Sequence, residues 1–558
     1  MVKIERVRTA VWLACMALCA PLHAQEVTVL TAARIHTMDP ARPTARAMAF
    51  DTDGRILAVG ESGELRGRYP GAAHLDAPDS TVVPGLIDAH GHIGNLGLSQ
   101  MRARLDGTRS RAEVVERLRA HARNLPDGDW LLGRGWDQND WTGARFPTAA
   151  DLDEAFPDRP VWLTRVDGHA GWANTAALRL VERDLTGEWQ PDGGRIERDA
   201  QGVPSGVFID GAMDLVEAVI PAMDAGDIER ALELGMRSAV EHGLTGVHDA
   251  GVSLPQMQAY RRLADRGALP MRIHAMADGD NDAFDWLCSE GLYEHDSGRL
   301  QMRAVKLYMD GALGSRGAAL QADYHDDAGN RGLLLIQPDA LDAVLARAKA
   351  CDVQVATHAI GDRGNRLVLD AYAEAWGETS RADHRWRIEH AQVVAPDDLR
   401  RFSRQHVIAS MQPTHATSDM PWAEARLGPE RIVGSYAWRT LRDHGTRLAL
   451  GSDFPVESVD PRLGLFAAAT RTDSDHMPLG GWRPNEKLTA FEALRGFTLD
   501  AAYAGFAEDE VGSLVEGKRA DFVLLAEDPL AVPPDALQSL TVQATYVDGQ
   551  AVYRRGAE

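Results

Sequence analysis

"TVVPGLIDAHGHI", residues 81–93, runs from apolar residues into two histidines set two positions apart. A short apolar run bounded by turn residues reads as a strand buried on both faces. Residues i and i+2 of a strand face the same way, so the imidazoles of His90 and His92 can point to one place. Seven runs of similar texture follow: "GLTGVHDAG" (243–251), "MRIHAMAD" (271–278), "RAVKLYMDG" (303–311), "VQVATHAIGD" (353–362), "WRIEHAQ" (386–392), "VIASMQPTHA" (407–416) and "RLALGSDFPV" (447–456). Helical patterns such as "ERALELGMRSAVEHG" and "PDALDAVLARAKACD" separate several of them. Eight alternating strand–helix units predict an α/β fold, a (β/α)8 TIM barrel over residues 81–504. The first gap is too long for one crossover, so an insertion is expected after the first barrel strand, at about 94–235.

Both ends of the chain read differently. "EVTVLTAARIHTM" near the start and "VQATYVDGQAVY" near the end are strand-like, and Asp53-Gly54 and Asp548-Gly549 are hairpin-turn pairs. Residues 25–80 and 505–558 are therefore expected to form one small β domain, a β-sandwich assembled from both termini. The first 24 residues have the layout of a signal peptide: basic "MVKIERVR", apolar "TAVWLACMALCAPL", and a small residue, Ala24, before Gln25. The expected location is periplasmic or secreted. No later stretch reaches transmembrane length. A net charge of −23 disfavours nucleic acid and anionic membrane as partners. Of four cysteines, Cys15 and Cys19 would leave with the leader. Cys288 and Cys351 are permitted to pair in an exported protein, but their spacing does not demand it.

Five of the eight strands carry a potential ligand near the C-terminal end, where barrel enzymes build their sites. These are His90 and His92 on the first, Lys306 on the fourth, His358 on the fifth, His390 on the sixth and Asp453 on the eighth. A lone strand histidine is usually structural, but this combination at the strand ends of one barrel points to a metal centre. Lys306 is unusual, because it sits among Ala304, Val305, Leu307 and Met309. A buried ammonium is costly, so it is expected to be depressed in pKa, paired or chemically changed. Schiff-base chemistry is the competing use of such a lysine. His248, His274 and His415 also lie on barrel strands and are expected to be structural or to support the ligands, whereas His36, His74, His121 and His444 are expected at the surface.

"VVPGLIDAHGHI", "THAIGDRGN", "EHAQ", "GSDFPVES" and "GSLVEGKRADFVLL" together resemble the amidohydrolase superfamily, in its branch similar to N-substituted formamide deformylases. The resemblance spans nearly the whole mature chain. It implies two divalent metal ions, zinc suiting the donors best, with manganese, iron, cobalt or nickel as alternatives. It implies that His90, His92 and Asp453 hold one ion, that His358 and His390 hold the other, and that Lys306 lies between them as a carbamate derived from carbon dioxide. Asp453 would be the catalytic proton shuttle.

Around the centre, His169 and Trp172 of "DGHAGWAN" are candidate substrate-side residues, with a packed polar loop as the competing reading. Arg316 in "GALGSRGA" could clamp a substrate carboxylate or form a surface salt bridge. Asp310 could orient a neighbour or hold Arg316, and Trp136 could line an apolar pocket or fill a core. The expected activity is metal-dependent hydrolysis of an amide-type C–N bond in a small-molecule substrate, N-acyl or N-substituted. Esters, lactones and cyclic amides are alternatives on the same centre, as is a non-catalytic envelope protein that binds metal or ligand. The sequence leaves a homodimer open. N-terminal sequencing of protein from its native host should return Gln25, and an active form that keeps Met1 would count against export.

Overall fold

The computed structural model describes residues 26–557, except 124, 127, 166–169, 192–193 and 380–381. The signal-peptide reading of residues 1–24 and the candidate His169 lie outside the described residues.

Eight parallel strands form the central sheet: β1 (Leu86–Gly91), β2 (Leu244–Val252), β3 (Arg272–Asp278), β4 (Leu300–Tyr308), β5 (Gln354–Ala359), β6 (Arg387–His390), β7 (Ile408–Met411) and β8 (Leu448–Leu450). Their order in space is their order in sequence, as a barrel requires. The register pairs Tyr308 with His358 and Ala359 with His390, which brings the polar ends of β4, β5 and β6 level. Between β8 and β1 the ring is closed by main-chain bonds just beyond the strands. Asp453 N donates to His90 O at 2.7 Å, and His92 N donates to Phe454 O at 2.9 Å. Three of the four residues that make these two closing bonds, His90, His92 and Asp453, are candidate ligands.

The chain ends form one seven-stranded sheet. Strands Val27–His36, Thr44–Asp51, Ile56–Gly60 and Ala73–Pro84 come from the start, and Phe522–Leu525, Val542–Val547 and Gln550–Arg554 from the end. The strand Ala73–Pro84 runs through Gly85 directly into β1. Arg272 of β3 fastens this sheet to the barrel floor, donating to Asp521 at 2.7 and 2.8 Å and to Asp548 at 2.6 Å. His36 departs from its expected surface position. It is buried against Asp528, 2.8 Å away, because the turn after the strand Phe522–Leu525 covers it.

The insertion carries its own six-stranded sheet, from Ala103–Arg104 to Pro204–Asp210. Helices Ile93–Met101 and Ala225–Glu241 lead into and out of it and pack face to face. Their approach is close because of glycine: a Cβ on Gly97 would lie 1.7 Å from Ala231 O, and one on Gly235 would lie 2.3 Å from Ile93 O. Among the described residues no helix is long and apolar enough to cross a membrane.

Cys288, on the helix Asp282–Glu290, is bonded to Cys351 just after the helix Pro338–Ala350, with Cα atoms 5.2 Å apart. The bond closes a loop with a sequence separation of 63 that contains all of β4. Restricting the unfolded chain in this way is worth about 2–4 kcal/mol. Cys351→Ala should therefore free one thiol for alkylation and lower the thermal midpoint by several degrees, and an unchanged midpoint would show that the bond contributes nothing to stability.

Candidate metal centre

The site lies where the C-terminal ends of β1, β4, β5, β6 and β8 converge. His90 is the penultimate residue of β1, and its Nε2 is 3.1 Å from Lys306 Nζ and 3.5 Å from Asp453 Oδ1. His92 Nε2 is 2.9 Å from the same Asp453 oxygen. The His390 ring lies 4.8 Å from that of His90 and 4.6 Å from that of His358. All six candidate ligands line one cavity of about 360 Å³. His390 and Asp453 have left-handed backbones, φ 72° and 63°, which turn both side chains in from the ends of short strands.

The second ring nitrogens are already engaged, which fixes where the first ones point. His90 Nδ1 donates to Glu389 Oε2 in a short contact, His92 Nδ1 is 2.8 Å from Ala250 O, and His390 Nδ1 is 2.8 Å from Gln412 Oε1. Each Nε2 is left facing the centre. His358 Nε2 is buried with no hydrogen-bond partner. His90, His390 and Asp453 each offer a ligand atom, and these lie within 4.8 Å of one another. Imidazoles and a carboxylate whose ligand atoms meet in one space, with His358 lining the same cavity, are a donor set that fits a divalent cation.

The electrostatics agree with that fit for three of the four histidines; burial would lower His92 as well, but the hydrogen bond to Asp453 and its charge hold it above its ordinary value. Burial lowers His90 to about 4 and His358 to about 3, helped by the nearby Lys306, and burial also takes His390 well below its ordinary value. All three are therefore neutral, as metal ligands must be. Burial pulls Lys306 down to about 8, against the attraction of Glu389 and Asp453. Burial would raise Asp453, but the hydrogen bond to His92 and the surrounding imidazoles outweigh it and hold the carboxylate well below its usual range.

Beneath the ligands lies a pair that the sequence reading did not single out. Arg387 and Glu389, both fully buried on β6, are joined through a short Nε–Oε1 contact. Arg387 also reaches His248 Nδ1 at 2.8 Å and Ser410 Oγ at 2.6 Å. The available signal was the spacing: opposite charges at i and i+2 on a short barrel strand share a face, and here that face is the barrel interior. Asp88 was missed as well. It receives His90 N at 3.0 Å and Ser452 Oγ at 2.6 Å, tying β1 to the end of β8.

A family model described as the amidohydrolase family matches residues 74–553. The chain belongs to the amidohydrolase family. It is similar to the N-substituted formamide deformylase of Arthrobacter pascens, 32% identical over 94% of this chain and 97% of that protein. It is also similar to protein LONG AFTER FAR-RED 3 of Arabidopsis thaliana, 35% identical over 94% and 91% of the two chains. Among solved structures, an uncharacterized metal-dependent hydrolase from Pyrococcus horikoshii OT3 superposes with a TM-score of 0.78 at 27% identity, covering 91% of this chain and 99% of that one. This amidohydrolase is a metal-dependent hydrolase.

The candidate substrate-side residues among the described residues are placed elsewhere. Trp136 and Trp172 are fully buried in the insertion's own core, their rings 5.9 Å apart. Their indole N–H groups donate to Leu163 O and Thr148 O, each at 2.8 Å. A second sheet needs a second core, and these two rings fill it. Arg316 is paired with Asp326 at 3.0 Å and does not line the site cavity of this amidohydrolase. Asp310 is buried and accepts main-chain N–H groups of Ala319, Ile360 and Gly361 at 2.8–2.9 Å, so it ties together the loops after β4 and β5, does not pair with Arg316 and does not line the site cavity. The described cavity wall is instead formed by Leu313, Ile360, Trp422 and Val456, with His415, Asp419 and Glu457 as its polar part.

Glu389→Gln should weaken metal affinity about 10–100-fold, because His90 loses the carboxylate that orients it and makes it basic. It should also lower stability, since Arg387 loses its buried partner. Competition with a chelator measures the first effect, and unchanged affinity would remove Glu389 from the support of the centre.

Proposed function

We propose that this amidohydrolase is an exported enzyme that cleaves the C–N bond of N-substituted amides at a two-metal centre. The observation that carries the proposal is that His90, His92, Lys306, His358, His390 and Asp453 line one cavity, with ligand atoms of His90, His390 and Asp453 within 4.8 Å of one another. His90, His92 and Asp453 would hold one ion, and His358 and His390 the other. Zinc is the best match to these donors, and such ions supply a Lewis acid for the carbonyl and lower the pKa of the attacking water.

Lys306 Nζ is 3.1 Å from His90 Nε2 and lines the same cavity as His358 and His390. Burial favours its neutral amine, which is the form that adds carbon dioxide. The amine nitrogen would bond to the carbon of carbon dioxide as one C=O π pair moves to oxygen, and loss of one N–H proton would leave a carbamate anion in place of the neutral amine. As an anion the side chain would be suited to a place beside bound cations. Asp453 accepts the proton of the attacking water and returns it to the leaving nitrogen.

The walls favour one substrate class over another. Apart from Lys306, no lysine or arginine among the described residues lines the cavity, while Asp419 and Glu457 do. A substrate carboxylate would be repelled, so N-acyl amino acids fit less well than amides with an apolar or neutral substituent. The similarity to a protein named N-substituted formamide deformylase supports that choice. Esters, lactones and cyclic amides remain substrates the same centre could open. Export is supported by the Cys288–Cys351 bond, since such bonds persist in oxidising compartments.

Lys306→Ala should lose metal and activity together, and added short carboxylic acids should restore part of both by filling the vacated space. Asp453→Asn should lower turnover by about 10²–10⁴-fold while much of the metal stays bound. Metal analysis beside an amide, ester and lactone panel tests both, and near-normal turnover of Asp453→Asn would remove it as the shuttle.

A further inference from the structure

Strands β1, β4, β5, β6 and β8 all lead to ligands, whereas β7 leads to His415. That residue lies in the first turn of the helix Pro413–Asp419, which begins two residues after β7 ends. It is 8% exposed and lines the site cavity. Its ring is stacked on that of His390, 21° from parallel with centroids 5.7 Å apart. The Nε2 edge is 3.6 Å from Asp453 Oδ2, too far for a hydrogen bond, and this buried nitrogen has no hydrogen-bond partner. A buried polar nitrogen without a partner is costly, and at the wall of a reaction site it implies a partner that arrives with the substrate.

The tautomer follows from the residues behind it. Tyr436 donates to Asp419 Oδ2 at 2.6 Å, and Gln392 Nε2 donates to the same oxygen at 3.2 Å. That contact fixes the orientation of the Gln392 amide, because a carboxylate accepts and does not donate. The second hydrogen of Gln392 Nε2 is directed at His415 Nδ1, 3.4 Å away. With Nδ1 as the acceptor, the ring hydrogen is on Nε2, at the edge that faces Asp453 and the centre.

We propose that His415 is a catalytic residue whose Nε2–H donates a hydrogen bond to the scissile carbonyl oxygen as that oxygen gains negative charge, and that Gln392 is a positioning residue that holds it in the donating tautomer. The inference rests on the hydrolytic reading above. It divides the labour between two side chains: Asp453 handles the proton of the water, and His415 stabilises the oxygen that the attack makes anionic. A donor aimed at developing charge acts mainly in the transition state, so its loss lowers kcat more than it raises KM.

The test uses the metal-loaded full-length enzyme, N-butylformamide and p-nitrophenyl acetate as probes, and elemental analysis of each variant. His415→Ala is expected to lower kcat on the order of 10²–10³-fold with KM within about threefold and metal content unchanged. His415→Gln, which keeps an N–H donor, should recover part of that loss. Gln392→Leu should lower kcat several-fold alone and have no further effect in the His415→Ala background, a non-additivity that a merely structural role would not give. Methylphosphonate, a tetrahedral oxyanion, should bind His415→Ala at least tenfold more weakly by calorimetry. Loss of metal from His415→Ala would overturn the proposal by making the residue a ligand. Unchanged kcat and methylphosphonate affinity would overturn it outright and leave the hydrolytic reading intact. If the wild-type enzyme hydrolyses neither probe and does not bind methylphosphonate, the hydrolytic reading fails and the assignment of His415 falls with it.

Discussion

Glu389 is the residue on which the centre stands. It is fully buried, and burial alone would push its carboxyl toward the neutral form. Arg387 in contact on one side, with His90 and Lys306 nearby, overrides that and keeps it ionised far below the usual range. Desolvating an ion pair costs several kcal/mol per ion, and attraction offsets this only when every remaining donor is satisfied. Here Arg387 also bonds Ser410 and the main-chain oxygen of Ala89, so the guanidinium spans β1, β6 and β7. The same contacts that make the buried charge tolerable set the rotation of the His90 ring. Fold closure and ligand geometry are thus one problem with one solution, and a change that relaxed the pair would loosen both.

Much of this was legible in the sequence, for reasons that can be named. The strand ends were readable because parallel barrel strands are buried on both faces and appear as apolar runs, so His90, His358 and His390 stood out against them. Lys306 stood out most, since no apolar strand keeps an ammonium without cause. Arg387 and Glu389 were passed over because "WRIEHAQ" is dominated by its histidine, and a charged pair inside a barrel looks in sequence like a pair on a solvent face. His415 was set aside because the ligand set was complete without it. Completeness of a ligand set says nothing about who meets the substrate.

The tryptophans settle alternatives that the sequence left open. Trp172 was weighed as a substrate-side residue of "DGHAGWAN" or part of a packed loop, and Trp136 as a pocket residue or a core filler. What decides their position is a second hydrophobic core, and the need for one follows only once the insertion is seen to form its own sheet. Arg316 and Asp310 likewise looked functional because they follow Lys306. Asp310 in fact binds three loop amides and Arg316 pairs with Asp326, both serving to shape the rim.

The close helices Ile93–Met101 and Ala225–Glu241 bear on how such a protein can change over time. The inserted sheet begins and ends at neighbouring points, joined by a two-helix stalk whose contact is secured by Gly97 and Gly235. Among the described residues, none between 103 and 210 lines the cavity that holds the candidate ligands. Changes in the described part of that segment would leave the described lining of the chamber as it is. The stalk glycines are the points that cannot drift, because any side chain there would push the two helices apart at their base. Diversification within this architecture is therefore channelled into the inserted sheet, while the barrel beneath it stays under the constraint of its buried charges.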